Sequence, residues 1–361
     1  MNTPYAARRD RLRQLMRARG LDALLVSHAA NRFYLSGFEL HDVQLNESAG
    51  RLVICADGRD WLCTDARYKD AAARLWDEDR ILIYGPDAAT EIGQLMRRRR
   101  CDSRLGLEAE IVSLNFARSL GRAVGRGAHL QAADGLVEEL RVIKDADEIK
   151  ALERSFALNH AMLRWLEESQ LQPGRSEAEL AWAIEKYFRD NGASELAFPS
   201  IVAVDQNAAL PHAIPGEKKL PDNGLVLVDV GCRVDGYCSD QTRTFWVGDA
   251  PHKEFRETMK LVRDAQQAAL DKMRPGLPLH EAYTLARGVF EKAGVEAWFT
   301  HGLGHGVGLE THEAPSLGRR GDKVLQEGMV VTVEPGLYYP QWGGIRWEYT
   351  VLITADGNRI L

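Results

Sequence analysis

The chain has no stretch of about 18 consecutive apolar residues, and its first twenty positions are charged throughout, with no apolar signal core. These absences predict a soluble, cytoplasmic protein that does not take a membrane as partner. A basic surplus is missing too. Lys and Arg number 46 against 52 Asp and Glu, a formal net charge of −6, and no Lys/Arg run is interleaved with stacking aromatics. Nucleic acid is therefore not an expected partner, and Arg97 to Arg100 reads as a solvated helix end. Cysteine is scarce. The five, at 55, 63, 101, 232 and 238, show no zinc spacing, and an odd number leaves any disulfide framework incomplete. Cys232 and Cys238 read as small, half-buried residues. Two familiar motifs are also absent: the glycines at 302, 304, 306 and 308 do not spell G-x-G-x-x-G, and neither His280-Glu281 nor His312-Glu313 continues to H-E-x-x-H.

What is present is length enough for two cores, 361 residues at 45% hydrophobic content. Residues 1 to 135 alternate helix-like segments (Ala6 to Arg19, Glu91 to Arg100) with short apolar runs (Ala23 to Val26, Arg51 to Ile54, Ile81 to Tyr84), an α/β pattern. A long amphipathic helix with an acidic first turn begins at Asp145. The remainder, residues 136 to 361, contains an internal repeat. Pro173-Gly174 precedes a helical run ending at Asn191-Gly192, and Pro275-Gly276 precedes one ending at Ala293-Gly294, with Gly nineteen residues after Pro in both. Each helix leads into a strand pair carrying two acids, which predicts an α+β domain with pseudo-two-fold symmetry; two units are too few for a solenoid.

The acids are oddly placed. Leu225 to Gly231 and Ser239 to Trp246 read as strands joined across Arg233-Val-Asp-Gly236. Asp229 and Asp240 should then be near cross-strand neighbours, with Cβ atoms roughly 5 Å apart. One Asp beside a hairpin is usually a turn residue or a surface charge. Two facing each other must share a proton or be held by cations. The pattern returns at Val330 to Gly336 and Gly344 to Ile353, which carry Glu334 and Glu348 around a bend at Trp342-Gly-Gly344. An acid ending the run Val-Val-Thr-Val is unusual in a strand built for burial. Arg346 could satisfy one carboxylate but not four. Two divalent cations balance four negative charges and make a water between them easily deprotonated.

Three of the ten histidines lie within twelve residues, in Phe299-Thr-His301-Gly-Leu-Gly-His305-Gly-Val-Gly-Leu-Glu-Thr-His312-Glu313. A lone histidine is more often structural. Three in a Gly-rich loop, where backbone can approach a ligand or take unusual dihedrals, suggest imidazoles pushed into a crowded site.

The segments Asp229-Val-Gly, Ser239-Asp-Gln-Thr-Arg-Thr-Phe245, Gly304-His-Gly-Val-Gly-Leu-Glu-Thr-His-Glu313, Val333-Glu-Pro-Gly-Leu-Tyr338 and Gly344-Ile-Arg-Trp-Glu348 resemble the M24 metallopeptidases, in particular the prolidase and aminopeptidase P branch. Asn31 to Gly37 is similar to the creatinase-type N-terminal domain, and Glu139 to Lys144 to the usual domain junction. The resemblance implies a creatinase-like α/β domain followed by a pita-bread catalytic domain. By it, Asp229 would ligate one metal, His305 and Glu334 the other, and Asp240 and Glu348 both. Glu334 would move a proton during attack, while His212, His301, His312, Tyr338 and Arg346 would bind substrate or support the site. Four oxygen donors and one imidazole suit Mn²⁺, with Zn²⁺ or Co²⁺ also compatible. The implied substrate is a peptide with proline second, most directly an Xaa-Pro dipeptide, and the implied assembly is a homodimer in which the region of His41, Asp42 and Trp61 reaches the partner's site.

Three positions depart from that pattern. Ser316 stands where many prolidases place an Arg just after His-Glu-x-Pro, with Arg319 and Arg320 following, and a dipeptidase needs a cation for the free carboxylate of proline. Trp347 and Tyr349 flank Glu348 where an aliphatic and a small Asp or Asn are commoner. The alternative is an aminopeptidase P acting on longer peptides. A non-catalytic pita-bread peptide-binding module, a reading of a different class, would typically have lost several carboxylates, and here none is lost.

Overall fold

The computed structural model describes residues 4–42, 44, 47–101 and 103–361, which form two compact units, Met1–Arg141 and Val142–Leu361. The first is built on a six-stranded mixed sheet. Its central strand, Ala23–Val26, is antiparallel to Arg51–Cys55 and parallel to Arg104–Leu107, and Trp61–Thr64, Ile81–Ile83 and His129–Ala132 extend the sheet on its two sides. The boundary lies six residues later than the sequence suggests. Helix Leu136–Arg141 stays with the first unit because the buried Arg141 donates to Asn31 Oδ1 at 2.8 Å, and Asn31 in turn donates to the buried Glu108 carboxylate. Burial pushes Glu108 up to about 7. Trp61 lies in this unit's core with the Arg99 guanidinium over its ring, so it is not displayed as a contact residue. Arg97 to Arg100 are exposed at the end of helix Ala88–Arg99.

The second unit carries the repeat. Helices Ala146–Ser169 and Glu177–Asp190 precede one set of strands, and Lys253–Leu270 and Leu279–Lys292 precede the other. Both shorter helices have 14 residues, and each is entered beside an isolated bridge, Ser176 to Lys219 in the first half and Pro278 to Val324 in the second. Capping boxes start the first two helices: Asp145 with Glu148, and Ser176 with Glu179. All five cysteines are buried and none is in a disulfide, and Cys232 and Cys238, at 0% exposed, correct the half-buried expectation. Among the described residues no helix is long and apolar enough to cross a membrane.

The two halves meet along one line. Strand Gln241–Val247, which pairs with Gly224–Val230 in the first half, runs beside residues 344–350 of the second half. Thr244 Oγ1 donates to Arg346 O (3.0 Å), Thr350 Oγ1 donates to Asp240 O (3.2 Å), and Glu348 N donates to Thr242 O (3.2 Å). Threonine suits this seam because its β-branched body fits a strand while its hydroxyl satisfies a backbone group that no ladder reaches.

A buried carboxylate holds the loop that leads to His212. Glu177, 1% exposed, accepts from Val204 N (2.7 Å), Asn207 Nδ2 (2.8 Å) and Gly216 N (3.0 Å). Replacing Glu177 with Ala leaves three donors without an acceptor and should cost about 3 kcal/mol of stability. Thermal or denaturant unfolding will show it, and a change under about 0.5 kcal/mol, the size of an ordinary surface substitution, would contradict this assignment.

Candidate metal centre

Asp229 and Asp240 are closer to a diagonal pair than to the facing pair expected. In the ladder between Gly224–Val230 and Gln241–Val247, Asp229 lies opposite Thr242. The same register continues into a two-residue turn at Asp235-Gly236, where φ is 51° and 84°, the positive values that such a hairpin requires. Asp240 therefore lies two residues from Thr242, on the same face. In the second half the register of Val330–Val333 with Tyr349–Ile353 matches that of Gly336–Tyr339 with Gly343–Arg346. Carried through the gap between these ladders, it sets Glu334 level with Glu348, as the sequence suggests.

The acids converge in buried space. One carboxylate oxygen each from Asp229, Asp240 and Glu348 lie within 4.8 Å of one another. His305 joins them, with Nε2 3.6 Å from Asp240 Oδ2 and 3.3 Å from Glu334 Oε1, while Nδ1 faces Gly306 O at 3.1 Å. Thr332 Oγ1 accepts from His305 N and donates to Glu334 Oε1, both at 3.0 Å, so one hydroxyl sets two members of the cluster.

Among the described residues Arg346 is the one guanidinium paired with the acids, and every nitrogen of it is engaged. Nη2 donates to Asp229 Oδ2 (2.7 Å), Nε to Thr242 Oγ1 (2.9 Å), and Nη1 to Tyr338 Oη (2.8 Å) and Pro211 O (3.3 Å). Two relays leave it. Thr242 passes its own hydrogen to Glu348 Oε2 at 2.9 Å. Tyr338 Oη lies 2.9 Å from His301 Nε2, and His301 Nδ1 lies 2.7 Å from Gly302 O. Because Tyr338 already accepts from Arg346, its hydrogen goes to Nε2, and His301 carries its proton on Nδ1. Burial lowers the His301 pKa, consistent with that neutral form, and pushes Tyr338 up to about 12.

The glycines of the histidine loop serve close packing. None of those at 302, 304, 306 and 308 has a positive φ. A Cβ on Gly304 would lie 2.0 Å from Thr332 O, and one on Gly306 2.2 Å from Ala314 O. The bare backbone lets strand Gly304–Gly306 press against its neighbours and hold His305 over the acids. Beside it, the His312 ring centroid is 4.1 Å from that of His305.

A cavity of about 510 Å³ opens onto this cluster. His212, His301, His305 and His312 line it together with Asp229, Asp240, Glu334, Tyr338 and Arg346, and Glu348 lies buried beneath, beside Asp229 and Asp240. Apolar walls come from Phe198, Pro199, Ile201, Pro211 and Ile214, none of which sequence reasoning singled out. Thr242 and Thr332 were missed as well. Their signal was available: each lies two residues along a strand from an acid, on the same face.

A model of metallopeptidase family M24 matches residues 150–355, and one of the creatinase/prolidase N-terminal domain matches residues 8–143. The chain belongs to metallopeptidase family M24. Among M24 relatives, the Xaa-Pro dipeptidase of Pyrococcus furiosus is 30% identical over 98% of this chain and 97% of its own length. Solved structures agree. The Xaa-Pro dipeptidase from Bacillus anthracis superposes with a TM-score of 0.91 at 32% identity, covering 99% of this chain and 97% of that one. The X-Pro aminopeptidase from Thermotoga maritima gives 0.84 at 30% identity, covering 96% and 97%. The second unit accordingly has the pita-bread fold, and the protein is a metal-dependent hydrolase.

The residues of this M24 chain fit divalent cations. Asp229 Oδ1 and Glu348 Oε1 are buried oxygens with no hydrogen-bond partner among the described residues, and four carboxylates face one guanidinium. The protonation pattern shows the same imbalance. Burial, then the charges of Glu334 and Asp229, push Glu348 up to about 8, and burial with three neighbouring acids carries Asp240 well above its ordinary value. Burial opposes ionisation of Glu334, but the hydrogen bond and charge of His305 hold it near 2. Burial likewise disfavours the imidazolium of His305, yet Glu334 outweighs it and raises His305 to about 9.

These directions set a pH dependence. Glu348 and His305 both keep, in the folded metal-free protein, protons that an unfolded chain would release at lower pH. Their contribution to metal-free stability is present in acid and is lost as pH rises through about 8 to 9. Cations need both groups deprotonated, so metal affinity should rise with pH up to that range, each binding event releasing protons. Calorimetry in buffers of different ionisation enthalpy will count them, and an affinity flat between about pH 6 and pH 8 would refute the linkage.

Proposed function

We propose that this chain hydrolyses the bond preceding proline in Xaa-Pro dipeptides, as a homodimer, with two divalent cations held by Asp229, Asp240, His305, Glu334 and Glu348 and with Mn²⁺ as the preferred metal. The observation that carries the reading is the convergence of those five residues at and just beneath a cavity with apolar walls. When bound, the cations would supply polarisation of the scissile carbonyl and acidification of a water.

The protein's own groups supply the rest. Thr332 and His305 both engage Oε1 of Glu334, which leaves Oε2 to accept and return a proton. His212 and His312, exposed on the cavity wall, are placed to meet substrate and to protonate the departing imide nitrogen, which carries no hydrogen of its own. His301 and Tyr338 are read as contacts to the substrate carbonyl side of the pocket. Arg346, with all its nitrogens occupied, is read as a positioning residue that fixes Asp229 directly, Glu348 through Thr242, and His301 through Tyr338.

One observation favours the second reading, an aminopeptidase P. Ser316 lines the cavity where a cation for a terminal carboxylate is expected, and Arg319 is held elsewhere, its Nε donating to Tyr283 Oη at 2.9 Å. Mn-loaded protein is expected to cleave Xaa-Pro dipeptides. Cleavage of Xaa-Pro-Xaa tripeptides with none of Xaa-Pro would overturn the dipeptidase assignment in favour of the second. Replacing Asp240 with Ala should lower both bound metal and turnover by more than about 100-fold, and unchanged peptidase activity would remove Asp240 from the ligand set.

A further inference from the structure

A second cavity, of about 570 Å³, shares no lining residue with the metal cavity. Arg164, Arg243 and Arg263 line it, and Glu167 is its one acidic residue. Two of these guanidiniums sit on the same indole: the Cζ atoms of Arg243 and Arg263 are each 4.6 Å from the Trp347 ring centroid. Arg243 also lies 4.8 Å from the Tyr349 ring. Trp347 and Tyr349 are the two residues that depart from the family pattern beside Glu348, and this stacking is what they do.

Stacking fixes a guanidinium plane and leaves its edge N–H groups facing outward, the geometry that takes a phosphate or carboxylate in two parallel hydrogen bonds. Arg243 spends only Nη1 on protein, donating to Thr242 O (2.9 Å) and to Glu348 O, and Arg164 and Arg263 have no ion-pair partner among the described residues. Three cations against Glu167 leave two positive charges. The other wall is apolar, formed by Leu163, Leu171, Phe255 and Met259, with Trp246 packed on Phe255 at 5.0 Å between ring centroids.

We infer that this cavity is a binding site for a phosphomonoester, its dianionic phosphate among Arg164, Arg243 and Arg263 and its organic body against the Phe255 wall. The site is joined to the catalytic cluster by one strand, since the guanidinium that would hold phosphate also holds the carbonyl of Glu348.

Phenyl phosphate is the probe, titrated into the metal-loaded full-length protein by calorimetry and by tryptophan emission, with inorganic phosphate and phenyl sulfate for comparison. One saturable site is expected, tighter for phenyl phosphate than for either comparator. Arg164→Gln and Arg263→Gln, both changes at exposed positions, should each weaken binding about tenfold. Asp240→Ala, which disables the metal cluster, should leave it within about twofold of the parent protein, because Asp240 does not line this cavity. Absence of saturable binding would overturn the inference. So would binding that persists in both Arg variants and disappears in Asp240→Ala, because that result places the anion at the metals.

Discussion

Four carboxylates and an imidazole are packed together with one guanidinium, Arg346, paired to them among the described residues, and much of the catalytic unit is arranged around that excess of negative charge. Burial and the neighbouring acids push Glu348 and Asp240 toward their protonated forms. Arg346 neutralises Asp229 directly and orders Glu348 through the Thr242 hydroxyl. It is placed at the seam so that a single guanidinium, fully hydrogen-bonded, reaches both halves of the repeat. The remaining imbalance is what gives divalent cations their purchase, and it explains why oxygens such as Asp229 Oδ1 are tolerated without a donor.

Much of this was legible in the amino-acid sequence, for a physical reason. An acid at the end of an apolar, β-branched run conflicts with burial, and such conflicts stand out when they occur four times around two turns. The Glu334 and Glu348 pairing follows from simple alternation across a bend. The Asp229 and Asp240 pairing did not, because the turn centre is offset from the midpoint of the two acids, and an offset of one residue converts facing neighbours into diagonal ones. The glycines around His305 were read as letting backbone approach a ligand or take unusual dihedrals, whereas what they approach is a neighbouring strand, which no local pattern reveals. Thr242 and Thr332 were overlooked because threonine is ordinary in strands. Only the partner across the seam, or the acid two residues away, gives their hydroxyls meaning.

Trp347 and Tyr349 show how alternation separates two tasks on one strand. Glu348 points into the metal cluster, so its neighbours must point out of it. What looked in the sequence like a disturbance of ligand environment is instead a platform for Arg243 on the outer side. The strand thereby faces two different chemical environments, one acidic and one basic, separated by the thickness of its own backbone.

The threonine seam has a bearing on how the catalytic unit comes into being. Each half of the repeat contributes two acids, and the hydroxyls of Thr244 and Thr350 bind backbone across the line where the halves join. Neither half holds the whole acidic cluster or satisfies its own seam. A nascent chain that has emerged only as far as the first half carries two mutually repelling acids with no counterpart. The cluster is thus complete only where the last strands of the second half lie against the first.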